Sequence, residues 1–173
     1  MKALVLEKYN EFVLRETEIP ELKPGWVLIQ VEACGICGSD VHGMDGSTGR
    51  RQPPVIMGHE ASGIIHRIAS NVDVWNVGDR VTFDSTISCG ECFYCQRGDI
   101  NLCDNRRVLG VSCNEYRQNG AFAEYVAVPA HILYAIPENI RIEQAAMIEA
   151  VSVAVHAVAI SSVHANDTAV VIG

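Results

Sequence analysis

At 173 residues the chain is long enough for one full hydrophobic core and part of a second. Apolar residues make up 49% and charged residues 20%, and thirteen basic residues face twenty-one acidic ones for a formal charge of −8. That balance argues against nucleic acid or an anionic membrane surface as a partner, since both need extended basic surfaces. The first sixteen residues carry acidic side chains early and no long apolar run, so no secretory signal is expected. No stretch reaches the roughly 18 uninterrupted apolar residues of a membrane span. Seven cysteines in such a chain point to reduced thiols serving as metal ligands in the cytoplasm, not to a disulfide framework.

In chain order, KALVLEKY and FVLRETEIP read as half-buried strands joined at Asn10. Lys23-Pro24-Gly25 is a turn before the strand WVLIQVEACGIC, which is expected to end at Cys37. A short helix is expected from Ser39 to Gly46, capped by Ser39 or Asp40. IMGHEASGIIHRIA returns to strand, Asn76-Val77-Gly78-Asp79 turns, and RVTFD is a further strand. FAEYVAVPAHILYAIP is strand-rich again, and many short strands with glycine turns predict a closed or nearly closed β-barrel. From Arg141 to Ser162 the chain is Ala-rich, lacks Gly and Pro, and is apolar almost all round, which predicts a helix buried on most sides. The last run, Thr168 to Gly173, reads as a buried-type strand. It either opens a dinucleotide-binding βαβ unit or pairs back onto the barrel.

The chemistry concentrates in two places. Cys89, Cys92, Cys95 and Cys103 are separated by two, two and seven residues on one polar loop. Short C-x-x-C steps let neighbouring sulfurs converge, and the longer gap returns the fourth, so one tetrahedral zinc ion fits. Such a closed site performs no reaction itself. Cys37, His59 and Glu60 supply a thiolate, an imidazole and a carboxylate, each close to glycine. Three protein donors and one free position describe an open, catalytic zinc site. Ser39 and His42 follow Cys37 at two and five residues. They read equally as a proton relay or as a helix cap beside an exposed imidazole. Glu149 is an acidic residue well inside the apolar helix and needs a partner: a metal, His156 or water. Cys34 and Cys113 read as small core residues.

These segments together resemble the N-terminal catalytic domain of the zinc-dependent medium-chain alcohol dehydrogenases, nearest their polyol and threonine dehydrogenase branches. The resemblance is carried by C-G-S-D-V-H from Cys37, G-H-E-A-S-G from Gly58 followed by Ala69 and Val72, V-G-D-R-V from Val77, the cysteine loop, and G-A-F-A-E-Y-V-A-V-P from Gly120. It implies a mainly β fold: a GroES-like, partly open barrel over residues 1–140, with a few short helices. Residues 141–173 would be a linking helix and the first strand of a nucleotide-binding (Rossmann) domain that lies beyond this chain. By the same resemblance Cys37, His59, Glu60 and Glu149 bind catalytic zinc, and Cys89, Cys92, Cys95 and Cys103 bind structural zinc. Asp40 orients the zinc-binding histidine, and Ser39 and His42 relay a proton. Two positions depart from the polyol-like pattern, with Ala150 in place of proline and Gly43 in place of an aromatic residue.

The expected activity of the intact protein is oxidation of a small secondary alcohol or polyol, with hydride passing to NAD or NADP. The chain by itself is expected to hold zinc without turning over, and to expose its apolar helix and self-associate through it. A homo-oligomer is expected of the intact protein. The competing reading is a non-catalytic zinc-binding module on the same barrel.

Overall fold

The structure is a computed structural model that describes residues 1–111 and 117–172. The expectations for Cys113 and Gly173 lie outside the described residues. Ten strands and a few short helices carry the fold. β1 (Lys2–Lys8) and β2 (Glu11–Glu16) form a hairpin. Its turn places Asn10 at φ 63°, a left-handed conformation that asparagine tolerates better than most residues. β4 (Val55–Ile56) pairs with the other edge of β1, giving a three-stranded sheet in the order β2-β1-β4.

A second, five-stranded sheet is antiparallel throughout. It is built from β3 (Trp26–Gly35), β5 (Glu60–Ile68), β6 (Arg80–Phe83), β9 (Tyr125–Pro129) and β10 (Leu133–Ala135), in the order β10-β6-β5-β3-β9. Residues 121–124 stitch the two sheets together. Leu4 N–H donates to the Phe122 carbonyl at 2.8 Å and Glu124 N–H to that of Lys2 at 3.0 Å, while Val31 N–H donates to the Glu124 carbonyl at 2.9 Å. The sheets therefore curl towards each other without closing, the partly open barrel that the family resemblance implies and more open than the short strands alone suggest. Its main core gathers Val27, Ile29, Ile65, Val81, Phe83 and Val128, none more than 3% exposed. Burial of branched side chains on this scale is the dominant stabilising term.

Several local expectations are corrected. The third strand stops at Gly35, two residues before Cys37, so Cys37 does not end a strand. It is the N-cap of α1 (Gly38–Gly43), its sulfur accepting from Ser39 N–H while the N3 residue Asp40 accepts from Cys37 N–H. This reciprocal box replaces the expected caps at Ser39 or Asp40 and starts the helix a residue earlier.

The long apolar helix is likewise in two pieces, α3 (Ile142–Ala145) and α4 (Ile148–Ile160). Residues 140–146 are tied to the barrel, because Ser62 Oγ donates to the Ile142 carbonyl, Arg80 Nη2 donates to that of Ile140 and Ala145 is fully buried. Tertiary anchoring here overrides a propensity that favoured one continuous helix.

No residue of α4 is buried. Val151, Val153, Val155 and Ile160 are 53–73% exposed, because nothing in the described chain packs on them. Residues 168–172 form no strand and are fully open to solvent; an extended segment without a neighbour has no ladder to join. No described helix is long and apolar enough to cross a membrane.

Candidate metal centres and cleft

The cysteine loop is held at its neck by a two-stranded ribbon, β7 (Thr86–Ile87) against β8 (Arg107–Val108). Within it, the single turn α2 (Phe93–Gln96) and a 3-10 turn at Ile100–Leu102 bring Cys89, Cys92, Cys95 and Cys103 together. Their sulfurs all lie within 4.8 Å of one another, and those of Cys89 and Cys95 are 3.9 Å apart. Tetrahedral coordination with Zn–S bonds of about 2.3 Å separates sulfurs by roughly 3.8 Å, so the four donors already stand close to the spacing that zinc requires. The backbone already favours thiolate at two positions, Cys89 and Cys92. N–H groups from Glu91 and Cys92 pull the Cys89 thiol below its ordinary pKa, whereas burial raises that of Cys95.

The second group is assembled from separated elements. Cys37 comes from the start of α1, Glu60 opens β5, and His59 sits in the bend just before it. The bend needs Gly58, whose φ is +93° and whose missing Cβ leaves room for the Phe122 ring. Across the β3–β5 pairing, Gly35 stands opposite Glu60, and a side chain there would strike the Glu60 carboxylate. Among the described residues, ligand atoms of Cys37, His59 and Glu60 lie within 4.8 Å of one another, with His59 and Glu60 buried. A soft thiol, an imidazole and a carboxylate suit zinc.

Asp40 is 3% exposed and lies behind this group. Its Oδ1 is 3.5 Å from His59 Nδ1, close enough for charge attraction, though that nitrogen lacks a partner with hydrogen-bond geometry. Burial pulls the His59 pKa down, but the carboxylate of Asp40 and the thiol of Cys37 push harder the other way, to about 9. A metal entering here displaces that proton, since a bound imidazole must be neutral. Asp40 itself is held below its ordinary value, its burial outweighed by His59, the Cys37 N–H and Arg51.

A cleft of about 700 Å3 opens beside this group, lined in part by Ser39, His59, Ser85 and Glu149. Glu149 reaches it from the first turn of α4. It stands outside the tight cluster of three donors, and its Oε1 accepts from Ser85 Oγ at 3.3 Å. The partner that sequence reasoning sought in a metal, His156 or water is thus a serine hydroxyl. Ser39 faces the cleft, whereas His42 lies exposed in the last turn of α1 and is not among the lining residues. Cys34 packs against the core, and burial, with Asp40 adding to it, pushes its thiol up to about 12.

Sequence reasoning missed Arg51. It is 4% exposed, and its Nη2 lies 3.4 Å from Ser39 Oγ and 3.5 Å from Asp40 Oδ1. The one trace it leaves in the sequence is Gly43, whose empty side-chain position is filled by the Arg51 stem. Ser85 was also missed; no local pattern marks it.

Comparison with known proteins places these features in a family. A sorbitol dehydrogenase of Halalkalibacterium halodurans is 40% identical over the whole chain, and the starvation-sensing protein RspB of Escherichia coli is 37% identical. The chain spans about half the length of each, 50% in both cases. A zinc-binding dehydrogenase of Sinorhizobium meliloti, solved bound to NADP, superposes with a TM-score of 0.83 at 40% identity, over 93% of this chain and 45% of that one. Residues 23–138 match the alcohol dehydrogenase GroES-like domain, and the chain belongs to that family.

Proposed function

We propose that this chain is the substrate-side, zinc-carrying part of an NAD(P)-dependent alcohol or polyol dehydrogenase. The observation that carries the reading is the meeting of Cys37, His59 and Glu60 at a cleft into which Ser39 and Glu149 also project. Zinc bound to those donors supplies Lewis acidity that lowers the pKa of an alcohol hydroxyl. Asp40, 3.5 Å from His59 Nδ1, would keep the ring oriented. Ser39, at the cleft, would take up the substrate proton, and His42, one turn on and exposed, would pass it to solvent; a nicotinamide bound by the intact protein would supply the hydride acceptor. Glu149, tethered by Ser85, serves as a further, exchangeable carboxylate at the cleft wall. The four-cysteine loop holds a second zinc whose role is structural. No described residue is assigned to the dinucleotide.

The test is zinc content per chain, wild type against Cys37→Ser. The reading expects two ions in the wild type and one in the variant. One ion in both leaves only the structural loop, the result expected of a non-catalytic module.

A further inference from the structure

Three arginines line the cleft and have no role in that reaction. Among the described residues Arg50, Arg51 and Arg106 share its wall with Ser39, His59 and one lining carboxylate, Glu149, while the buried Asp40 lies behind Arg51. The chain as a whole carries −8 with only thirteen basic residues, so this wall runs against the bulk charge. A concave, partly desolvated surface of one sign concentrates ligands of the other.

Arg51 separates this arrangement from a chance gathering of surface charge. It is 96% buried and still lines the cleft. Its described contacts, to Ser39 Oγ and, as an ion pair, to Asp40 Oδ1, are long at 3.4 and 3.5 Å, and its Nε has no acceptor among the described residues. A guanidinium offers five N–H donors in a planar fork. A buried donor left unmet is unfavourable, and water or a neutral hydroxyl is a weak remedy compared with an anionic oxygen.

The chain also makes room for it. Gly43 is buried with an ordinary backbone conformation, and a Cβ there would stand 2.6 Å from Arg51 Cγ. Cγ lies close to the root of the side chain, so the arginine has no way to yield without swinging out of the site. Glycine at 43 and arginine at 51 are one arrangement.

We propose that this cleft selects a substrate that carries an anionic group beside its hydroxyls: a polyol bearing a phosphate monoester or a carboxylate. The anion lies against Arg51 with Arg50 and Arg106 at the rim, and the hydroxyl to be oxidised lies toward Ser39. The proposal rests on the dehydrogenase reading and names its substrate class.

The test is calorimetric binding of sorbitol 6-phosphate, gluconate and sorbitol to the zinc-loaded chain at fixed ionic strength, with inorganic phosphate as a control. At least one anionic polyol is expected to bind roughly tenfold or more tighter than sorbitol, and tighter than inorganic phosphate. The two anionic arms tell phosphate from carboxylate. Arg106→Ala, a change at the exposed rim, is expected to erase much of that preference while leaving sorbitol unaffected; Arg51→Met, which also removes the contacts to Ser39 and Asp40, is expected to erase the preference and is read beside its own metal content. Equal binding of all three polyols overturns the proposal, as does inorganic phosphate matching the best of them. So does a loss in the variants that falls only on NADP while polyol affinities hold. Metal content is measured on the same samples: two zincs with no anion preference sinks this proposal alone, whereas a missing second zinc sinks the dehydrogenase reading beneath it.

Discussion

The two metal-ligand groups are built in opposite ways. The four sulfurs of the cysteine loop come from fifteen consecutive residues, Cys89 to Cys103, and need only one ribbon at their neck. Cys37, His59 and Glu60 come from a helix cap, a bend and a strand start that meet only because β3 pairs with β5. The local group depends on its own spacing; the dispersed group depends on the barrel. Damage to the fold and damage to the ligands should therefore separate cleanly between them.

The largest expected effect is on the local group. Cys103 is fully buried, and Cys103→Ser removes a donor that no neighbour replaces. Structural zinc contributes on the order of 10 kcal/mol in small domains, so residues 89–103 should become protease-sensitive. The other zinc should remain bound, which metal analysis of the same sample checks. Gly120→Ala probes the opposite case without touching a ligand. A Cβ at 120 would run into the Gly58 carbonyl beside His59. Overpacking of this kind costs about 1–3 kcal/mol. The expected outcome is a lowered denaturation midpoint with loss of the dispersed zinc alone. Retention of both ions would show that the bend does not depend on its packing.

Cys37→Ser is smaller in stability and larger in consequence. Serine is a good N-cap, so α1 should survive with a change below about 1 kcal/mol, while one of two zincs is lost. Denaturation and metal content read the two effects separately. Smallest is Ser85→Ala, which removes the hydroxyl that Glu149 accepts from. A loss near 1 kcal/mol or less is expected, together with faster exchange of the dispersed zinc if Glu149 reaches it.

What was legible in the sequence follows the same division. The cysteine loop was readable from spacing alone because its geometry is local. Cys37, His59 and Glu60 were readable from residue type and their glycines, and the structure brings their ligand atoms within 4.8 Å of one another. The barrel followed from short strands between glycine and asparagine turns. Arg51 and Ser85 were not readable, since their value lies in what they touch, twelve and sixty-four residues away. The break between α3 and α4 was also hidden. No glycine or proline marks it, and its cause is the tethering of Ile140 and Ile142 by Arg80 and Ser62.

The 3.9 Å between the sulfurs of Cys89 and Cys95 also governs how the protein must be handled. Once a chelator strips the loop, Cys89, the readier thiolate of the two, sits beside a thiol it can join in a disulfide under dissolved oxygen. An oxidised pair offers no thiolates to an incoming ion, so added zinc would then fail to restore the loop. Reductant before chelator, and air kept out until the metal returns, is the order that reconstitution requires.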